Sequence, residues 1–340
     1  MTFDSIGVLG AGSWGTALAV HAARAGSRVL LWARDPAKAR LLESERANEA
    51  YLPGVDLPDG LRVTGDLAEL ATCGLVLVVV PSHGFRQVVR RFLAACSTAV
   101  EPRVLVSATK GVEPDSLSRM SEVLVGEGER AGRQLLPAVL SGPTFAAELA
   151  RAMPTAAVVA AGEEGLARAV GEALSTEVLR LYSSTDVAGV ELGGAAKNVI
   201  AIGAGVIQGL DLGHNTLAAL ITRGLHEITR LGVAFGGSPR TLSGLAGLGD
   251  LVLTCTGGPS RNRQAGVELA RGRSVDELHG GRGMVAEGVR NARAISLLAQ
   301  SRGVEMPITE QMNAVLYAGK SPATALRELM TRDLKAEADL

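Results

Sequence analysis

Residues 6–19, IGVLGAGSWGTALA, decide how the rest of this chain is read. Four residues that suit a buried strand run into Gly10, Gly12 and Gly15, spaced G-x-G-x-x-G, and an alanine-rich helical segment begins near Thr16. In such a turn the first glycine allows the sharp bend, the second lets backbone come close to a pyrophosphate, and the third lets the helix pack tightly. Amides and the positive dipole end at the helix start then receive the phosphates. The spacing alone is common; its place between a strand and a helix is what points to a dinucleotide.

Outward from this turn, apolar runs at 6–10, 28–33, 75–80, 103–107, 135–141 and 155–160 alternate with amphipathic or alanine-rich segments. Such alternation predicts an α/β fold, a parallel, doubly wound sheet of the Rossmann type. The runs 75–80 and 104–106 are apolar on successive positions, as strands covered by helices on both faces are, and are expected at the centre. After about Asp186 the strand pattern stops, and helical periodicity takes over in 187–210, 215–231, 261–271, 287–302 and 308–318. The expected organisation is a dinucleotide-binding Rossmann domain over 1–186 and an all-helical substrate-binding, catalytic domain over 187–340. Glycine-rich stretches at 244–249 and 257–259 read as loops where backbone turns sharply or meets a ligand.

With 340 residues the chain is too long for one ordinary core and suits two. A net charge of -1 with 20% charged and 47% hydrophobic residues excludes a disordered or nucleic-acid-coating chain, and 3% aromatics exclude a base-stacking platform. No basic leader precedes the first strand, and the longest apolar run, 199–210, falls short of a membrane span; the expectation is a cytoplasmic protein without membrane insertion. Cys73, Cys96 and Cys255 are an odd number without C-x-x-C spacing, so reduced core thiols are expected and no metal site. Lysine stands only at 38, 110, 197, 320 and 335. In an arginine-rich chain, a lysine kept among small or apolar residues suggests work for a titratable amine, and Lys110 and Lys197 fit that description.

Six further segments carry chemistry. At the end of the second strand a clear ribose-binding acid is missing and Arg34-Asp35 stands instead. Arg34 suits a 2'-phosphate or the adenine face and Asp35 a 2'-hydroxyl, so NAD and NADP both stay open, as does an ordinary solvated turn. Lys110 follows a sheet strand, where ligands of open α/β sheets bind, though a strand-end lysine can equally be a solvated one. Gly142, Pro143 and Thr144 lead from a strand into a helix, offering amides and a hydroxyl to an anionic substrate or marking only a helix start. In ELGGAAKNVI, residues 191–200, small and apolar neighbours surround Lys197; burial there lowers an amine towards neutrality, the condition for exchanging a proton with a hydroxyl. Asp250 suits a substrate hydroxyl, a lysine or a plain helix cap. After a Ser260 cap, Arg261 and Arg263 in the first helical turn oppose the dipole unless an anion, a phosphate for choice, offsets them.

Taken together, GAGSWGTALA (10–19), LWARD (31–35), YLPG (51–54), VPS (80–82), TKG (109–111), SGPTFAAE (141–148), ELGGAAKNVIAI (191–202), GLGDLVLTCT (247–256) and SRNR (260–263) closely resemble the bacterial NAD(P)-dependent glycerol-3-phosphate dehydrogenase family over nearly the whole chain. The resemblance implies interconversion of sn-glycerol 3-phosphate and dihydroxyacetone phosphate by hydride transfer with NAD or NADP, supplying glycerophospholipid synthesis. It implies Lys197 as proton acceptor, with Lys110, Gly142, Thr144, Asp250, Ser260, Arg261 and Asn262 around the substrate. It implies dinucleotide contacts from Ser13, Trp14, Arg34, Lys110, Ala146, Arg261, Val285 and Glu287, and a homodimer. Asp35 stands where the family often carries a basic residue or His. The residues alone also fit a hydroxy-acid dehydrogenase of two domains, or a dinucleotide sensor without turnover. A carboxylate substrate would prefer a bidentate arginine, whereas the helix start at 260–263 suits a phosphate.

Overall fold

The apolar runs of the N-terminal half become a single sheet whose centre is buried on both faces. The computed structural model describes residues 3–96, 104–275, 277, 286–333 and 336–337. Its strands are β1 (Ser5–Leu9), β2 (Arg28–Trp32), β3 (Ala47–Asn48), β4 (Leu52–Asp56), β5 (Leu61–Thr64), β6 (Leu75–Val78), β7 (Val104–Ser107), β8 (Leu136–Ser141), β9 (Thr155–Ala161) and β10 (Leu179–Ser184). Eight of them order as β10-β9-β8-β7-β6-β1-β2-β5, and β3 and β4 form a separate antiparallel pair. β6 and β7, buried at every position, stand at the middle as expected. Helices α1 (Ser13–Arg24), α2 (Pro36–Glu45), α3 (Ser82–Ala95), α4 (Met120–Arg130), α5 (Ala146–Ala150) and α6 (Glu164–Leu174) complete this region.

Two features depart from the expectation of parallel strands marked by apolar runs. β5 and β10 close the two edges of the sheet, and their sequences LRVT and LRLYSS interleave polar side chains, which a search for unbroken apolar runs passes over. β8 and β9 pair antiparallel, with Ala138 opposite Ala161 and Ser141 opposite Val158. Between them lies only the five-residue α5. A helix of that length climbs about 7 Å, short of the roughly 20 Å that a six-residue strand spans. The chain therefore turns back beside β8 instead of crossing over to start a parallel neighbour.

Residues Met1–Lys110 and Ser118–Val187 form one compact unit; Gly111–Leu117 and Ala188–Leu340 form the other. The second unit contains α7 (Val187–Gly209), α8 (Gly213–Ala234), α9 (Pro239–Leu242), a π-helical turn at Leu245–Gly249, α10 (Asp250–Thr256), α11 (Arg261–Ala270), α12 (Glu287–Ser301), α13 (Pro307–Tyr317) and α14 (Pro322–Met330). The glycine-rich stretch expected as a loop at 244–249 is thus mostly the π turn that leads into α10. By length and composition the 23 residues of α7 suffice to cross a membrane, more than the run at 199–210 suggested, yet its most apolar window is wholly buried. A helix apolar all round is a core helix when other helices cover it. Glycines bring those helices close: a Cβ on Gly205 would lie 1.8 Å from the Arg263 carbonyl oxygen, and one on Gly266 1.9 Å from that of Ile202. This contact sets the start of α11 against α7.

Candidate active site

The glycine turn shows why each glycine is there. Gly10 has φ +122°, and a Cβ on it would meet the Val79 carbonyl oxygen at 2.4 Å; a Cβ on Gly15 would lie 1.9 Å from the Gly10 carbonyl oxygen. Both are demanded by the protein's own packing. Gly12 is different: a Cβ there would meet nothing within 4 Å, so its bare backbone leaves room beside the helix start for something from outside the chain. That open cradle fits a pyrophosphate. α1 begins at Ser13, earlier than expected, with Gly12 as N-cap, which puts Ser13 and Trp14 in its first turn. The Trp14 Nε1 is buried without a hydrogen-bond partner among the described residues. At the end of β2, Asp35 caps α2, accepting from the Ala37 amide at 2.8 Å, while Arg34 is exposed. The cap occupies one carboxylate oxygen of the residue read as a ribose acceptor.

Lys110, Gly142 and Thr144 come together within the first unit. The Lys110 Nζ donates to the Gly142 carbonyl at 2.7 Å and lies 3.4 Å from the Thr144 Oγ1. Next to it, Thr109 donates to the Val80 carbonyl at 2.6 Å, which ties the loop after β7 to the end of β6. Gly142 has φ +148°, and a Cβ on it would lie 2.8 Å from the Ala157 Cα, so sheet packing requires the glycine whose carbonyl meets the lysine. Ala146 opens α5, half-buried.

Lys197 occupies the middle of α7 with a side chain only 7% exposed. Its Nζ donates to the Asp250 Oδ1 at 2.7 Å and to the Thr254 Oγ1 at 2.6 Å. Asp250 and Thr254 lie four residues apart on α10, hence on one face of that helix. Thr254 donates to the Asp250 carbonyl at 2.6 Å, which leaves its oxygen lone pairs to the lysine. The π turn before Asp250 is held by close backbone packing: a Cβ on Gly247 would lie 1.9 Å from the Leu242 carbonyl oxygen, and one on Gly193 of α7 2.7 Å from that of Ala246. π turns inside helical segments recur at functional sites, where they re-aim side chains. Burial pushes the neighbouring Cys255 thiol up to about 12, which makes it inert as a nucleophile. All three cysteines are buried thiols, and no group of potential metal ligands occurs among the described residues.

The start of α11 is built by side chains that brace one another. Ser260 is its N-cap, accepting from the Arg263 amide at 3.2 Å. Asn262 is buried; its Nδ2 donates to the Asn198 Oδ1 at 2.8 Å, and its Oδ1 accepts from the Gly288 amide at 2.9 Å. One amide thus links the residue after Lys197 to the first turn of α12. Arg263 donates to the carbonyls of Gly257 and Gly258, whereas Arg261 is exposed. Glu287 opens α12 and lies 3.4 Å from the Asn291 Nδ2. Val285 lies outside the described residues. Thr254 and Asn198 were missed from sequence. Both had a signal: Thr254 stands one helical turn after Asp250, and Asn198 is adjacent to Lys197.

A salt-bridged amine beside a hydroxyl is equipped to pass a proton, and a cation at a helix start to hold an anion. Comparison with known proteins gives these groups a setting. Residues 5–167 match the N-terminal model, and residues 186–327 the C-terminal model, of NAD-dependent glycerol-3-phosphate dehydrogenase. A glycerol-3-phosphate dehydrogenase (NAD(P)+) of Citrifermentans bemidjiense is 49% identical over 342 residues, covering 98% of this chain and 99% of its own. One from Koribacter versatilis is 51% identical, covering 98% of each. The crystal structure of glycerol-3-phosphate dehydrogenase from Coxiella burnetii superposes with a TM-score of 0.91 at 40% identity, covering 97% of this chain and 99% of that one.

Proposed function

The chain belongs to the NAD-dependent glycerol-3-phosphate dehydrogenase family, and on that premise we propose how its residues divide the reaction. The enzyme interconverts sn-glycerol 3-phosphate and dihydroxyacetone phosphate with NAD(H) or NADP(H). When bound, the dinucleotide supplies or takes up the hydride. Gly10, Gly12, Ser13, Trp14 and Gly15 hold its pyrophosphate at the start of α1, with Arg34 towards the adenosine end and Ala146, Arg261 and Glu287 as further contacts.

Lys197 moves the proton. In the reductive direction its ammonium gives a proton to the carbonyl oxygen of dihydroxyacetone phosphate as the carbon receives hydride; in the oxidative direction the neutral amine takes the hydroxyl proton. Asp250 and Thr254 fix the amine, so only the proton has to travel. Arg261 holds the phosphate, its charge adding to the positive end of α11. Lys110, Gly142, Thr144, Ser260 and Asn262 complete the substrate contacts. The observation that carries this reading is Lys197, its side chain 7% exposed and its amine 2.7 Å from the Asp250 carboxylate.

The test is the absorbance of the reduced nicotinamide. It should fall when dihydroxyacetone phosphate is added, and unphosphorylated dihydroxyacetone should give a kcat/KM lower by about a hundredfold, the size expected of a charge-assisted phosphate contact. Arg261→Ala should erase most of that discrimination. Faster turnover of a hydroxy or keto acid than of the phosphorylated ketone would sink the reading. We also place the enzyme in the cytoplasm as a homodimer that supplies glycerol 3-phosphate for glycerophospholipids. Buried, unbridged thiols support a reducing compartment, and sedimentation at assay concentrations tests the dimer.

A further inference from the structure

Behind the glycine turn stands a residue that neither the motif nor the reaction accounts for. Asn48 lies on β3, in the small pair outside the main sheet, and is 1% exposed. Its Nδ2 donates to the Ala11 carbonyl at 3.2 Å and to the Thr16 Oγ1 at 2.8 Å. A carbonyl only accepts, so the amide must turn its nitrogen and not its oxygen towards Ala11. The Oδ1 is then left buried without a partner among the described residues. An unmet buried acceptor costs on the order of 1–3 kcal/mol, so the side chain is held there for its donor.

Ala11 sits between Gly10 and Gly12, the two most permissive positions of the turn. Rotation of the Ala11–Gly12 peptide changes ψ of Ala11 and φ of Gly12, and glycine accepts nearly any φ, so local sterics at Gly12 do little to hold that peptide. The peptide is trans, so its C=O and N–H point in opposite directions. A donor that holds the Ala11 carbonyl inward therefore turns the Gly12 amide the opposite way, at a residue whose Cβ position is open space. We propose that Asn48 is a positioning residue for dinucleotide binding, pinning this one peptide so that the Gly12 amide is presented to the pyrophosphate before any ligand arrives. The proposal rests on the reading of the turn as the dinucleotide site.

Asn48 itself is held at both ends. Arg46, with φ 52°, ends α2 and donates to the carbonyls of Pro58 at 2.6 Å and Leu61 at 2.7 Å. Three residues beyond Asn48, Tyr51 donates from its amide to the Asn48 carbonyl at 3.0 Å, and the Lys38 ammonium lies 3.7 Å over its ring. Leu52 and Val55 of β4 are buried in the core that also contains α1. The hairpin is thus a braced support under the turn.

Calorimetric titration of the substrate-free enzyme with NAD+ and NADP+ tests the proposal. Asn48→Ala should raise both Kd values by a similar factor of about ten, the size of one lost hydrogen bond with the preorganisation it provides. In steady state the loss should appear in the dinucleotide KM, with kcat at saturation changed less than about twofold. Thr16→Val removes the other partner of Asn48 but keeps the Ala11 bond, and should change Kd by less than about threefold. Asn48→Ser serves if the alanine variant does not fold. Unchanged Kd values with a lowered Tm would overturn the proposal and leave Asn48 a structural peg. Weakening of only one dinucleotide would overturn it too, because the pyrophosphate is common to both. A wild-type enzyme that bound neither dinucleotide would instead sink the reading of the turn on which the proposal rests.

Discussion

Two lysines in a chain that has few meet very different surroundings. Lys110, in the sheet unit, is partly exposed at a strand end and donates to a backbone carbonyl and a hydroxyl. Lys197, in the helical unit, is buried in mid-helix and donates to a carboxylate and a hydroxyl. A neutral carbonyl is a partner that a ligand oxygen can replace at small cost. A buried carboxylate is not, because separating the pair leaves a charge without compensation. The difference is the one expected if Lys110 binds and Lys197, as proposed, stays in place and exchanges a proton.

Removing each amine in turn separates the two roles. Lys197→Ala should lower kcat by about a thousandfold, within the range of a lost general acid–base group, while dinucleotide affinity moves less than about threefold. Comparable losses in both would remove the distinction. Lys110→Ala should raise the KM values for substrate and dinucleotide by about ten- to a hundredfold, with a smaller fall in kcat, as expected of a binding contact. Steady-state kinetics with both ligands varied reads these two predictions together.

The smallest effect concerns Glu227, a buried carboxyl on which Arg230 acts only through its field, with no ion pair to it among the described residues. Glu227 of α8 accepts from the Ile308 amide at 2.5 Å and from the Thr309 amide and hydroxyl, each at 3.1 Å, at the start of α13. Burial pushes its carboxyl up to about 7, against those hydrogen bonds. A raised acid binds its proton more tightly in the folded state than in the unfolded one. The associated stability is therefore full below about pH 4.5 and is lost as pH rises through about 7, by at most about 3 kcal/mol. Glu227→Gln should match or fall below wild type in Tm near about pH 5 and gain on it by several degrees near about pH 8. Scanning calorimetry at the two pH values checks the sign.

The sheet unit was more legible in sequence than the helical one. The central strands declared themselves because a strand covered on both faces must be apolar at every position, and the glycine spacing fixed the turn between β1 and α1. The edge strands β5 and β10 did not, because an edge is half solvated and carries Arg62, Arg180 and Ser183 among its apolar residues. The reversal at β8 and β9 depends on how far α5 climbs, which residue types do not state. In the helical unit, periodicity located α7, α8, α11, α12 and α13, but the glycines at 244–249 read as loop because the π turn is stabilised by tertiary contact at Gly247 and not by local propensity.

The side chains followed the same division. Lys197 and Asp250 could each be singled out by type and surroundings. That they meet across 53 positions of sequence, with Thr254 as a third member, is a consequence of how α7 and α10 pack. Asn48 was hidden for a similar reason: it reaches back 37 positions to a carbonyl that carries no side-chain signature.

Chemical rescue tests whether the Lys197 amine carries the proton. Small primary amines added to Lys197→Ala, saturated with dinucleotide and dihydroxyacetone phosphate, should restore turnover with a rate that varies systematically with the acidity of the ammonium ion, as proton transfer requires. Failure of every amine small enough for the vacated space to restore any rate, in a variant that binds both ligands normally, would contradict the account.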